Sequence, residues 1–309
     1  TRVHWQGVRL DLHKEDGRFR LDGRAPALAV ATGPAGLRLE GVGLTSRFDE
    51  RGDIWLGENR LRLARVAASG PVGFRVEGLQ LRQRTSEPEP GRLRVTSALD
   101  IDVLTPEGGP AYRRFGYTLT MDRLDRAAYL ELARTAAELR RADAGAGLHP
   151  GPAAPDLSGP LRRLLARSPR LALERLTVFG PHGTAEASAS LTFHGTPDLD
   201  LSAGPALLRR LEFEGRFRVP KGMLEALIAA GLRREAARRE TDRYELPAPE
   251  QSARVEAATQ RRLRTFEQAG FIEADGGDYT ARARLADGRV TVNGRPLALG
   301  GGALPIPEP

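Results

Sequence analysis

Over most of its length the chain alternates polar and apolar residues with a period of two. The pattern is clearest in residues 8–12, 74–82 and 211–219. Successive side chains of an extended strand point to opposite faces, so these runs predict strands that are apolar on one face and polar on the other. Short turns such as residues 107–110, Glu-Gly-Gly-Pro, separate the runs. Strands joined in this way favour a large antiparallel sheet with one wet face.

Three segments depart from this pattern and show helical spacing. They cover residues 125–142, a stretch that begins near Pro220, and residues 249–269. Apolar side chains recur there every three or four residues, which predicts amphipathic helices. Asp125 is suited to cap the first helix, and Gly270 is suited to end the last one.

These patterns together predict an α+β fold, with an elongated, mainly antiparallel β-sheet and amphipathic helices packed on it. Asn293-Gly294 is the strongest hairpin signal, and with the preceding helix it predicts a C-terminal helix–hairpin. Four parts are predicted: an N-terminal β-rich lobe ending in a helix (1–145), a linker or mobile loop (146–168), a second lobe of strands and a helix (169–245), and a C-terminal helix, hairpin and frayed tail (246–309). Both lobes run a strand directly into a helix, which suggests an internal duplication.

The charge of the chain bears on its partners. A net charge of +7 and a pI near 10.4 raise nucleic acid and anionic lipid as partners. Lysine occurs only at Lys14 and Lys221, and the arginines are dispersed, mostly beside Asp or Glu. We therefore expect no nucleic-acid partner, because clustering matters more than pI. Arginine clusters in residues 162–167, 233–239 and 261–264 either meet anionic head groups or form ordinary solvated helix faces.

The sequence leaves the cellular compartment open. No run of residues is long and apolar enough to span a bilayer, and the chain begins at Thr1 rather than Met. We therefore expect a trimmed or processed chain, in which a signal peptide or an anchor upstream would not be visible. The chain has no cysteine, which excludes disulfides, thiol catalysis and cysteine metal sites. An oxidising periplasm tolerates such a chain as readily as a cytosol does.

The histidines form no recognisable site. They are His4, His13, His149, His182 and His194. His182 and His194 would meet across a hairpin, but no carboxylate stands at ligand spacing to complete a metal site. We therefore favour surface or turn histidines over ligands.

Two carboxylate pairs offer the other chemistry. Asp100 and Asp102, like Asp198 and Asp200, would share one strand face. Such a pair binds a cation or runs acid–base chemistry, but exposed strand carboxylates without a function are commoner. We predict no catalytic, cofactor-binding or metal-binding residues, no cofactor, and no enzymatic activity.

A broad sheet with one apolar face needs a cover on that face. The predicted helices either close the core completely or leave an apolar groove, able to hold acyl chains or a partner segment. Alternation alone does not say which face is covered, so both outcomes stay open.

The C-terminal residues resemble a known family. Residues 269–272 (Ala-Gly-Phe-Ile), 278–279 (Asp-Tyr) and 285–297 (Leu-Ala-Asp-Gly-Arg-Val-Thr-Val-Asn-Gly-Arg-Pro-Leu) follow a helix in the order that ends the YdgA-like family. Residues 39–44 and 77–81 are similar to that family's repetitive strands. The group is bacterial and its function is unknown. The resemblance implies one N-terminal helix in the inner membrane with the rest of the chain in the periplasm, and it supplies no catalytic residues.

With this resemblance, the sequence predicts a non-enzymatic protein of the bacterial cell envelope. It would be the periplasmic portion of a chain anchored in the inner membrane, it would bind lipid or another envelope component, and it would form homo-oligomers. One alternative is a self-associating structural or scaffold module without a small ligand. A second alternative is a hydrolase with an unrecognised site.

Overall fold

A computed structural model describes residues 2–33, 35–70, 73–145, 157–196, 199–201, 204–239 and 248–297 of the chain. In these ranges the chain forms fifteen strands and five helices. The strands are β1 (Arg2–Gln6), β2 (Arg9–Glu15), β3 (Arg18–Thr32), β4 (Ala35–Arg51), β5 (Ile54–Ser69), β6 (Phe74–Glu89), β7 (Arg92–Pro106), β8 (Tyr112–Asp125), β9 (Arg170–Gly180), β10 (Gly183–Phe193), β11 (Leu211–Pro220), β12 (Glu273–Asp275), β13 (Asp278–Ala286), β14 (Arg289–Val292) and β15 (Arg295–Leu297). The helices are α1 (Arg126–Gly145), α2 (Ser158–Ala166), α3 (Gly204–Leu208), α4 (Lys221–Arg239) and α5 (Ala248–Gln268).

All fifteen strands belong to one sheet, and every strand pair in it is antiparallel. The spatial order is β1-β3-β4-β5-β6-β7-β8-β9-β10-β11-β13-β14-β15, with β2 beside β3 and β12 beside β13. Neighbours in space are thus mostly neighbours in sequence, as short turns between strands require. The mainly antiparallel sheet predicted from the period-two pattern is confirmed.

Helices α1 and α2 lie over the middle of the sheet. The residues Ile54, Leu93, Val95 and Leu124 form a buried group, here called the central cluster. Tyr129 and Leu130 of α1 and Leu164 of α2 pack against it. Asp125 caps α1, because its Oδ1 accepts a hydrogen bond from the Ala128 N–H at 2.9 Å. The strand β8 therefore passes directly into the helix that covers its own end.

Helices α4 and α5 pack on each other, and α4 contacts β11 and β13. Their apolar side chains join strand side chains in a second buried group, the C-terminal cluster. It consists of Val219, Met223, Leu263, Ile272 and Tyr279. Desolvation in this cluster raises the pKa of the Tyr279 hydroxyl. None of the helices in the described ranges combines the length and apolar character needed to cross a bilayer.

The predicted linker at residues 146–168 differs from the structure where the chain is described. From Ser158 the chain forms α2, in which Pro160 stands in the first turn, where its missing N–H costs nothing. Its leucines then follow at helical spacing. The strands of both predicted lobes belong to one sheet, since β8 pairs with β9. The predicted frayed tail, from Gly300 onward, lies outside the described residues.

Candidate functional site

A third group of buried apolar side chains differs from the other two, because no described helix residue belongs to it or packs against it. Leu63, Val66, Val76 and Ile101 are between 5% and 8% exposed, and we call them the open cluster. The partly buried side chains packed against them are Leu39, Val42, Leu61, Phe74, Leu79, Leu99, Leu104 and Phe115. No helix residue belongs to this group within the described ranges. These side chains are buried by contact with side chains of neighbouring strands.

The strand register places these side chains in rows that cross the sheet. One row runs through Trp5, Leu28, Leu39, Val66, Val76, Leu104 and Tyr112. A second runs through Val3, Val30, Leu37, Ala68, Phe74 and Pro106. A third runs through Leu10, Gly23, Leu44, Leu61, Leu81, Leu99 and Tyr117. Directly paired residues share a face, so each row is one apolar stripe. We call the surface made by these three rows the apolar face.

Two glycines keep the rows on the same face. Strict alternation would put Leu63 and Val66 on opposite faces of β5, yet both belong to the open cluster. Gly41 and Gly78, on the two neighbouring strands, have φ values of +62° and +66°, which only glycine adopts freely. A Cβ on Gly41 would also lie 2.6 Å from that of Ala64. The irregularity interrupts the pairing of β4, β5 and β6 without changing their register, and it shifts the alternation by one residue.

The apolar face reaches the N-terminal edge of the sheet without cover in the described part of the chain. Trp5 is 70% exposed and Leu10 is 62% exposed. From β1 to β7 there are five strand spacings, or about 24 Å, and residues 61 to 68 of β5 span about 23 Å. The three rows therefore cover roughly 550 Å² of the sheet. The exposed part of this area lies toward the N-terminal edge, because the open cluster itself is at most 8% exposed.

The opposite face is polar. One of its rows runs through Arg47, Glu58, Arg84, Thr96 and Thr120. Ion pairs between neighbouring strands are common there, for example Arg82 with Asp100 at 3.6 Å. We call this surface the polar face. Its charges remain solvated, so it is the wet face that the alternation predicts.

The best-formed ion pair of the polar face joins Arg94 on β7 to Asp122 on β8. The arginine donates to both carboxylate oxygens, at 3.1 Å and 2.8 Å. These hydrogen bonds lower the pKa of Asp122. Arginine partners also lower the pKa of Asp22 and Asp53. A lowered pKa makes a carboxylate a weaker base, which is the reverse of what general base catalysis near neutral pH needs.

Replacing Asp122 by asparagine is expected to cost about 1 kcal/mol of unfolding free energy near pH 7. Because the folded-state pKa of Asp122 lies below its unfolded value, its stabilisation is complete above about pH 4. It disappears as the pH falls through the folded pKa, so wild type and variant should converge in acid. Urea unfolding at neutral and acid pH measures this. Asp49→Asn is the matched control. It loosens the exposed pair of Asp49 with Arg18, so the free energy of unfolding should change little.

A groove of about 940 Å³ lies on the polar face near the C-terminal end of the sheet. Four arginines and four carboxylates line it, so its charges balance. Arg218, for example, contacts Asp278 at 2.5 Å and Asp275 at 3.7 Å. The charged side chains of the groove are therefore already engaged in ion pairs. The apolar face is the stronger candidate site, because its exposed apolar side chains have no cover in the described part of the chain.

The candidate metal-binding histidines do not come together. His182 precedes β10 and stands beside Gly222, whereas His194 follows β10 and contacts Glu212 at 3.1 Å. Eleven residues of strand separate them, so they lie about 40 Å apart. His149 lies outside the described residues.

In the first predicted carboxylate pair, Asp100 already has arginine partners. Asp100 is held by Arg82 and by Arg175, at 3.6 Å and 3.8 Å. Asp198 lies outside the described residues, so its pairing with Asp200 stays a prediction. Among the side chains that the structure describes, no group of three or more His, Asp or Glu residues is placed to hold a metal ion.

Sequence reasoning left the apolar face undecided between a covered and an open surface. The signal that locates it is the register, which brings residues such as Trp5 and Leu104 into one row across six strands. Register depends on turn lengths and bulges, which the alternation alone does not fix.

Comparison with known proteins adds one assignment. The family model described as "Bacterial protein of unknown function (DUF945)" matches residues 1–300. The matched segment includes every described strand and helix, and thus both faces of the sheet. No curated protein and no solved structure matches the chain.

Proposed function

The chain belongs to the DUF945 family of bacterial proteins of unknown function, and from that premise we propose that it is a non-enzymatic envelope protein that binds lipid acyl chains on its apolar face. The observation that carries the proposal is the open cluster. Its side chains form a continuous apolar surface to which no described helix contributes. The exposed apolar side chains that continue this surface, such as Trp5 and Leu10, would gain free energy when removed from water.

Acyl chains suit this surface better than a polar ligand does. The rows across β3 to β7 present Leu, Val and Phe side chains and few hydrogen-bonding groups. Each methylene group buried there contributes about 0.8 kcal/mol, so about ten well-buried groups correspond to micromolar binding before the costs of association. Nothing in the apolar face fixes a head group, which would stay at the rim or in water.

The envelope location is part of the same proposal. It is supported by the resemblance of residues 269–297 to the end of YdgA-like proteins, which implies a periplasmic chain anchored in the inner membrane. A protein held there would have the apolar face within reach of membrane lipid. A second candidate is self-association without a ligand. It is favoured by the open edge of β2, which among the described strands pairs with β3 only.

Native mass spectrometry tests acyl-chain binding directly. We expect protein purified from bacterial cells without detergent to carry extra mass, and organic extraction to release lipid in an amount that matches this mass. Protein of bare mass, with no lipid in the extract, contradicts the proposal. Protein denatured and refolded before a second measurement is the control, since it should have lost the extra mass.

A further inference from the structure

Strand β2 is an open edge of the sheet. It pairs with β3 on one side, and within the described ranges no strand pairs with its other side. All seven of its residues are exposed. An edge strand of this length presents unpaired N–H and C=O groups, which form a template for another strand.

The apolar side of β2 does not protect this edge. Leu10 and Leu12 are 62% and 65% exposed, and Leu10 lies in a row of the apolar face. Proteins usually blunt an exposed edge with proline, a bulge or inward-pointing charge. On this side of β2 the one charge is Lys14, which stands near the end of the strand, so the middle of the edge around Leu12 remains open.

The face of β2 opposite Leu10 and Leu12 carries four polar residues: Arg9, Asp11, His13 and Glu15. In the single chain they pair along the strand, Arg9 with Asp11 at 3.1 Å and His13 with Glu15 at 3.2 Å. These contacts are fully solvated and hold the side chains weakly. The side chains are therefore free to exchange partners.

We propose that β2 pairs antiparallel with β2 of a second copy of the chain, about a two-fold axis through Leu12. In this register Arg9 stands opposite the partner's Glu15 and Asp11 stands opposite the partner's His13. Each pair occurs twice because the interface is isologous. On the apolar side, Leu12 stands opposite the partner's Leu12, and Leu10 stands opposite the partner's Lys14. Cross-strand pairs of opposite charge stabilise such a ladder.

The neighbouring registers that keep the apolar faces together are electrostatically worse. An axis through Asp11 places the two Asp11 carboxylates opposite each other, and an axis through His13 places Asp11 opposite the partner's Glu15. Like charges directly opposite destabilise a sheet. Charge order thus selects one register, in which the apolar faces of the two copies meet in one surface. The inference depends on the edge strand alone and not on lipid binding.

A single cysteine tests the register. The chain has no cysteine, so Leu12→Cys introduces the only thiol. Opposed Cα atoms in an antiparallel pair lie about 4.5–5.5 Å apart, within the range of a disulfide. We expect mild oxidation to convert this variant to a covalent dimer. Leu10→Cys is the matched control, because four residues of offset separate its two copies by about 14 Å. It should remain mostly uncrosslinked.

Charge exchange tests the pairing without a covalent bond. We expect light scattering of the wild-type chain to give a dimer, and Arg9→Glu or Glu15→Arg to weaken it about tenfold or more. The double variant Arg9→Glu with Glu15→Arg restores both opposite-charge pairs and should recover the dimer. Arg289→Glu, an exposed residue on β14 with the same charge change, should have no effect.

A monomeric wild-type chain at its highest soluble concentration overturns the inference. Equal crosslinking of the two cysteine variants, or a double variant as weak as the single ones, overturns it too. The lipid content of the Arg9→Glu monomer separates the two proposals. Lipid retained on a monomer supports the apolar face as an independent site, and a dimer without lipid supports the β2 edge alone.

Discussion

Truncation of Leu93 to alanine is expected to lower the free energy of unfolding by about 3 kcal/mol, within a range of roughly 2–5 kcal/mol. Leu93 is fully buried, with 0% of its surface exposed, in the central cluster under α1 and α2. The substitution removes apolar contacts and leaves a cavity that the two-layer packing cannot fill. Urea unfolding followed by circular dichroism measures the loss.

The same substitution on the apolar face is the control. Leu37 is 40% exposed in the second row, so Leu37→Ala creates no cavity and should cost less than about 1 kcal/mol. The contrast between the two variants measures whether helices cover the sheet at one place and not at the other. Similar losses would mean that something covers Leu37 in solution, which is incompatible with an open apolar face.

The strands were predictable because period two is a local property of the sequence. The run at residues 74–82 lies within β6, and the helices predicted near residues 125, 220 and 249 correspond to α1, α4 and α5. Asp125 was predictable as a cap because its role depends on the next three residues only. Features of this kind need no knowledge of distant contacts.

The apolar face was not predictable in the same way. Its continuity depends on the positive φ angles of Gly41 and Gly78, where the alternation of polar and apolar residues is interrupted. Its openness depends on where α1 and α2 pack. The composition of residues 146–168 predicts a linker or mobile loop, whereas part of this segment forms α2. Packing against the central cluster decides that this short segment is helical, and such tertiary support cannot be recognised from composition.

Charges placed on the apolar face are expected to abolish most acyl-chain binding. Trp5 belongs to the first row and Leu37 to the second, and both are exposed, so Trp5→Glu with Leu37→Glu should leave folding intact. An acyl chain lying there would have to desolvate both carboxylates. We expect each charge to weaken binding about tenfold, or about 1.4 kcal/mol, and the pair about a hundredfold. Titration with a fluorescent fatty acid measures this.

The sign of the charge separates acyl-chain contact from head-group attraction. Trp5→Lys with Leu37→Lys should weaken binding as much as the glutamate pair does, because either charge must lose water. Ala98→Glu is the matched control, since Ala98 lies opposite Arg82 and Thr118 on the polar face, where a carboxylate stays solvated. Binding that falls for glutamate and rises for lysine would assign the attraction to the anionic head of the probe. Binding that falls equally for Ala98→Glu would contradict binding at the apolar face, because an acyl chain held there does not touch the opposite side of the sheet.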